Sequence, residues 1–97
     1  QMLGAVQAVE ARGRVGKTVV FGGDMSVDAA KKLQDGRVLK GVADISGIKV
    51  GRLAGQAALD VLAGKPSDRF IIPAPIDPYL GPKDGTRWLQ EHPDGIP

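Results

Sequence analysis

Apolar positions recur every third or fourth residue in three stretches of the chain and run unbroken in two others, which predicts helices alternating with strands. In residues 3–12, Leu3, Val6 and Val9 share one helical face with Ala5 and Ala8 beside them, and Gly13 supplies a left-handed stop. Thr18, Val19, Val20 and Phe21 form a β-branched and aromatic run between Gly16 and Gly22-Gly23. Its continuous apolar character predicts a strand covered on both faces. Ser26 is placed to cap a helix over 27–34, with Ala29, Ala30 and Leu33 as its apolar stripe and Gly36 as its stop. Residues 37–43 predict a second strand. The strongest helical pattern follows, where Val50, Leu53, Ala54, Ala57, Ala58, Val61 and Leu62 line one side of a helix over 48–63 that ends at Gly64 and Pro66. Residues 69–72 predict a brief third strand, and Pro73, Pro75 and Pro78 impose extended or turn structure. The remainder, 77–97, shows only a short helical stretch over 86–91 and reads as a Pro- and Gly-rich surface extension.

This order predicts an α/β fold in which helices flank a small parallel sheet. Two or three strands make a very small sheet of that kind, so the pattern implies further structure from a longer parent or a second copy. Composition narrows the chemistry. The 97 residues suffice for one core, and the absence of cysteine removes disulfides, thiolate nucleophiles and Cys-ligated metals. A single histidine, His92, leaves little metal or acid–base chemistry. Thirteen Lys and Arg against eleven Asp and Glu give a net charge of +2, but the basic residues are interleaved with acids, which argues against a nucleic-acid partner. No stretch approaches the roughly 20 apolar residues of a membrane helix. No Ser-His-Asp or paired-carboxylate spacing supports a hydrolase, and no enzymatic activity, cofactor or metal is expected.

In open α/β sheets, ligands bind beyond the carboxyl ends of the strands. That rule singles out the Gly22-Gly23-Asp24 turn and the Ala43-Asp44-Ile45 turn. Asp24 is placed to accept hydrogen bonds from ligand hydroxyls, and equally to cap a helix or fix its turn. Asp44, followed by Ser46 and Gly47, reads on position alone as the start of the long helix. The segment Gly13-Arg14-Val15-Gly16-Lys17-Thr18 superficially resembles the end of a phosphate loop, but it precedes a strand instead of following one. His92 is expected in solvent, and Tyr79 and Trp88 are expected to dock on their own domain.

The series Gly4-Ala5-Val6-Gln7-Ala8-Val9, then Gly16-Lys17 leading into Val19-Val20-Phe21-Gly22-Gly23-Asp24, then Leu33-Gln34-Asp35-Gly36-Arg37-Val38, and finally the run from Val50-Gly51-Arg52-Leu53 to Leu62-Ala63-Gly64-Lys65-Pro66, resembles the C-terminal third of a ribose-type periplasmic sugar-binding protein. Such a protein is the solute-binding component of an ABC importer. The resemblance covers about residues 3–76 and implies a partial type I periplasmic-binding-protein fold, whose two-lobed parent closes on a monosaccharide or polyol and delivers it to a membrane permease. It implies a periplasmic or extracytoplasmic location. It also implies that 1–76 is a segment of the two-lobed fold, that the chain crosses between lobes near 44–47, and that the long helix packs on the other lobe. By the same resemblance Asp24 matches an acid that hydrogen-bonds sugar hydroxyls, with Gly23 beside it. The family carries an Asp-Gln or Ala-Gln pair at the next strand end. Asp44 matches the acid, and Ile45 stands where the Gln would be, which suggests an unusual or less polar ligand.

Left alone, the long helix would expose its apolar face. At about 400 Å² of apolar area and about 25 cal/mol per Å², that forfeits on the order of 10 kcal/mol, comparable to a domain's whole stability. The expectation is self-association as a homodimer, or retention of the missing N-terminal portion of the parent. The alternative function is the effector-binding domain of a sugar-responsive transcriptional regulator, which has the same fold. A small assembly module that needs no ligand is a third reading.

Overall fold

The computed structural model describes residues 1–65 and 73–97; the strand expected over 69–72 lies outside the described residues. The elements are α1 (Met2–Ala11), β1 (Val20–Gly23), α2 (Val27–Asp35), β2 (Leu39–Asp44), α3 (Gly47–Leu62), β3 (Asp77–Leu80) and α4 (Pro82–Glu91). Local signals account for most helix ends. The Ser26 hydroxyl accepts the Ala29 N–H at 3.1 Å, and Gly36 closes α2 in the left-handed region at φ 70°, donating its N–H to the Lys32 carbonyl. Ser46 caps α3 in the same manner through the Lys49 N–H at 3.3 Å.

The strands form one sheet in the order β1-β2-β3. β1 and β2 run parallel, as expected, with Phe21 opposite Gly41 and Gly23 opposite Ala43. β3 corrects the expectation of an all-parallel sheet, because it pairs antiparallel to β2 with Asp77 opposite Asp44 and Leu80 opposite Gly41. The reason lies in the path of the chain. It leaves the sheet at Asp44, makes its excursion through α3, and returns at Asp77 beside the point of departure. A strand that begins where its neighbour ends runs against it. No crossover helix is then needed over the sheet, and α3 is released from covering it.

The expected surface extension is also corrected. Residues 77–91 supply β3 and α4, and Trp88 of α4 is the largest fully buried side chain, at 0 % exposure. Helix α4 is longer than the stretch 86–91. It opens with Pro82 at its first turn, where a missing N–H costs nothing, and Asp84 accepts the Leu80 N–H at 2.7 Å. That backbone hydrogen bond holds the Asp84 carboxyl below the usual carboxylate range. Helices α2 and α4 approach closely at Gly85, where a Cβ would lie 2.7 Å from the Ala30 carbonyl oxygen and 2.8 Å from the Gln34 nitrogen.

The core lies on one face of the sheet. Val6 of α1, Ala29, Ala30 and Leu33 of α2, Leu39 and Val42 of β2, Tyr79 of β3 and Trp88 of α4 form it with Met25 and Val38. Among the described residues nothing covers the opposite face, which corrects the expectation of a strand covered on both sides. Phe21 is 67 % exposed and Leu80 63 % exposed, and the two side chains flank Gly41, whose absent Cβ leaves them room. Helix α3 has no buried residue, and Ile48, Val50, Leu59, Val61 and Leu62 are exposed along it. The radius of gyration, 17.1 Å, exceeds the value of about 12–13 Å for a compact chain of this length.

Candidate functional site

The two carboxylates picked out at the strand ends come together. Asp24 and Asp44 line one cleft of about 300 Å³ with Met25, Ile45, Gly47 and Pro97. β1 and β2 are adjacent and parallel, so their carboxyl ends lie side by side and both turns open in the same direction. Gly23 sits opposite Ala43 at that end and lines a neighbouring cleft with Asp24, Ser26, Met2 and Leu3.

Asp24 is exposed and has φ 64°, the left-handed region that a non-glycine residue adopts at a cost. Its N–H donates to the Ala43 carbonyl at 3.1 Å, which anchors the turn to β2. The helix is capped by Ser26, so capping does not explain Asp24. Strained residues of this kind recur at ligand sites. Asp24→Gly is expected to raise stability by about 0.5 kcal/mol, since relief of the left-handed cost outweighs glycine's greater freedom when unfolded. Urea unfolding midpoints measure this, and a lower midpoint would mean that the carboxylate itself holds the turn.

Asp44 stands in a different environment, at 2 % exposure. One carboxylate oxygen accepts the Met25 N–H at 3.2 Å, and the other accepts the indole N–H of Trp88 at 3.2 Å. Each of its two oxygens thus has a donor where water is largely excluded. On its other flank Asp44 lines a polar cleft of about 190 Å³ with Lys49, Asp77, Tyr79 and Arg87 among its walls. There Lys49 pairs with Asp77 at 2.5 Å, which raises the pKa of the Lys49 ammonium, and the Arg87 guanidinium lies 4.2 Å from the centre of the Tyr79 ring. Burial pushes the Tyr79 phenol above its ordinary value.

Tyr79 and Trp88 dock on their own domain, as expected. His92 does not follow its expectation: it is half-buried and stacks on Trp88 with ring centres 4.3 Å apart and planes 17° apart. The Nδ1 atom of His92 lies 2.8 Å from the Trp88 carbonyl oxygen. The place of Met25 and Pro97 in the cleft lining, and the hydrogen bond from the Trp88 indole to Asp44, went unread in the sequence. One signal was present: Gly85, Trp88 and Leu89 fall at helical spacing behind a Pro at a helix start. Among the described residues no helix is long and apolar enough to cross a membrane.

No protein-family model matches the chain, and no solved structure matches it. Over 95 residues the chain is 42 % identical to the ABC transporter periplasmic-binding protein YphF of Escherichia coli (strain K12), an alignment that covers 98 % of this chain and 29 % of that protein. The chain therefore spans less than a third of the length of the curated relative it matches.

Proposed function

We propose that the chain is part of the solute-binding component of an ABC transporter, acting outside the cytoplasm, and that its ligand is a sugar or polyol. The observation that carries the reading is Asp24, a strained and exposed carboxylate at a parallel strand end, facing a cleft shared with Asp44 and Ile45. An ionised carboxylate accepts two or more hydrogen bonds, which suits the adjacent hydroxyls of a polyol. Ile45 supplies the apolar contact that one face of a sugar ring accepts. The similarity to a periplasmic-binding protein supports the transport role, with a permease as the second partner. In this reading the chain does no chemistry.

The test is thermal-shift and calorimetric titration of the whole gene product with a panel of monosaccharides, polyols, amino acids and short peptides. A sugar or polyol is expected to bind, and Asp24→Ala to weaken it about tenfold or more while the protein still melts cooperatively. Binding confined to amino acids or peptides would overturn the sugar assignment and leave the transport role standing.

The same reading includes a cover for the open surfaces. A compact monomer of 10.1 kDa exposes about 5,300 Å². This chain exposes 6704 Å². The excess exceeds the area of about 800 Å² that each partner buries in a standard interface. The remaining portion of a longer parent is the proposed cover for α3 and for the Phe21–Leu80 face, and a second copy takes its place when the 97 residues stand alone. Light scattering of the isolated chain is expected to show a homodimer at tens of micromolar, whereas a cooperatively melting monomer would overturn this.

A further inference from the structure

We infer that Asp44 and Trp88 form a clamp by which the C-terminal segment sets the conformation of the Gly23-Asp24-Met25 turn, so that Asp44 and Trp88 are positioning residues for Asp24. The carboxylate of Asp44 joins two parts of the chain that are far apart in sequence. Its Oδ1 holds the amide of Met25, the residue next to Asp24, and its Oδ2 holds the indole of Trp88 in α4. A carboxylate with one oxygen committed to each donor cannot rotate without losing both bonds. The strained backbone of Asp24 therefore lies between two hydrogen bonds, its own N–H to Ala43 and the next N–H to Asp44.

The segment also braces the turn from a second side. Beyond α4, Gly95 packs so closely on Val27, the first residue of α2, that a Cβ at 95 would lie 2.8 Å from a Val27 methyl group. Pro97 then lines the cleft itself. Stacked on His92 and buried completely, Trp88 has no freedom to follow a wandering carboxylate. That the turn receives a solute rests on the function proposed above; the clamp does not.

The experiment is amide hydrogen exchange by NMR on the 97-residue chain and on Trp88→Phe, which keeps the aromatic packing and removes the indole donor. The Met25 amide is expected to exchange about tenfold faster in the variant, with the Asp24 and Met25 resonances displaced, while the amides of Leu33 and Val42 keep their protection. Asp44→Asn is the second variant. It is nearly isosteric, but its amide offers one acceptor where two donors wait, so at least one of the two bonds is lost, and the loss is expected to show as faster exchange at the Met25 amide or at the Trp88 indole N–H. Unchanged exchange at Met25 in both variants would overturn the clamp. Uniform acceleration at Met25, Leu33 and Val42 would overturn it too, because Trp88 would then be only a core residue. No ligand enters the measurement, so its failure is distinct from a failure of the solute-binding reading.

Discussion

Trp88→Ala is expected to cost about 4 kcal/mol and to leave the 97-residue chain with only about 1 kcal/mol of stability at 25 °C. The indole is fully buried among residues of α2, β2 and β3, and truncation leaves a large cavity where α4 crosses α2. It also removes the donor to a buried carboxylate and the surface on which His92 stacks. The chain has little margin to absorb such a loss. Domains of this size hold about 5–15 kcal/mol in all, and among the described residues nothing covers α3 or one sheet face, which places the chain low in that range. Far-ultraviolet circular dichroism with urea unfolding measures the effect. A loss under about 1 kcal/mol would show that α4 is an ornament on a core that stands without it.

Asp44→Ala is expected to cost about 3 kcal/mol, a large figure for a residue at a strand end. The substitution orphans two donors at once, the Met25 amide and the Trp88 indole, in a place that excludes most water. Each unsatisfied buried donor costs roughly 1–3 kcal/mol. Combined with Trp88→Phe the losses are expected to fall short of their sum, since both substitutions break the same hydrogen bond. Denaturant midpoints for the two single variants and the double variant complete the cycle, and strict additivity would mean that the bond contributes nothing. Asp44 thus differs from Asp24, whose replacement by glycine is expected to stabilise the fold.

Helices α1, α2 and α3 were legible because their signals are local. Ser26 and Ser46 each reach a backbone N–H three residues on, Gly36 takes a left-handed turn, and Ala29, Ala30 and Leu33 share one face by helical spacing alone. None of this depends on what lies elsewhere in the chain. The same holds for the position of Asp24, since the end of an apolar run marks a strand terminus.

The sheet was misread where its form depends on distant chain. Thr18 to Phe21 reads as doubly covered because apolar runs usually are, yet nothing among the described residues covers Phe21, and no pattern within the run records that. β3 was invisible as a strand because Asp77 and Pro78 are poor strand formers, and pairing with β2 overrides that preference. Its direction followed from the return of the chain beside Asp44, a property of the path and not of any residue in it.

Local spacing in the sequence therefore determined where α1, α2 and α3 begin and end, which side of each is apolar, and that Asp24 and Asp44 stand at strand ends. Tertiary structure alone decided that both carboxylates share one cleft, that Asp44 is committed to Met25 and Trp88, and that α3 has no buried residue. The physical reason is range. Caps and periodicity act over three or four residues, whereas the partners of Asp44 lie 19 and 44 positions away and are brought to it only by the packing of α4 against α2 and the sheet.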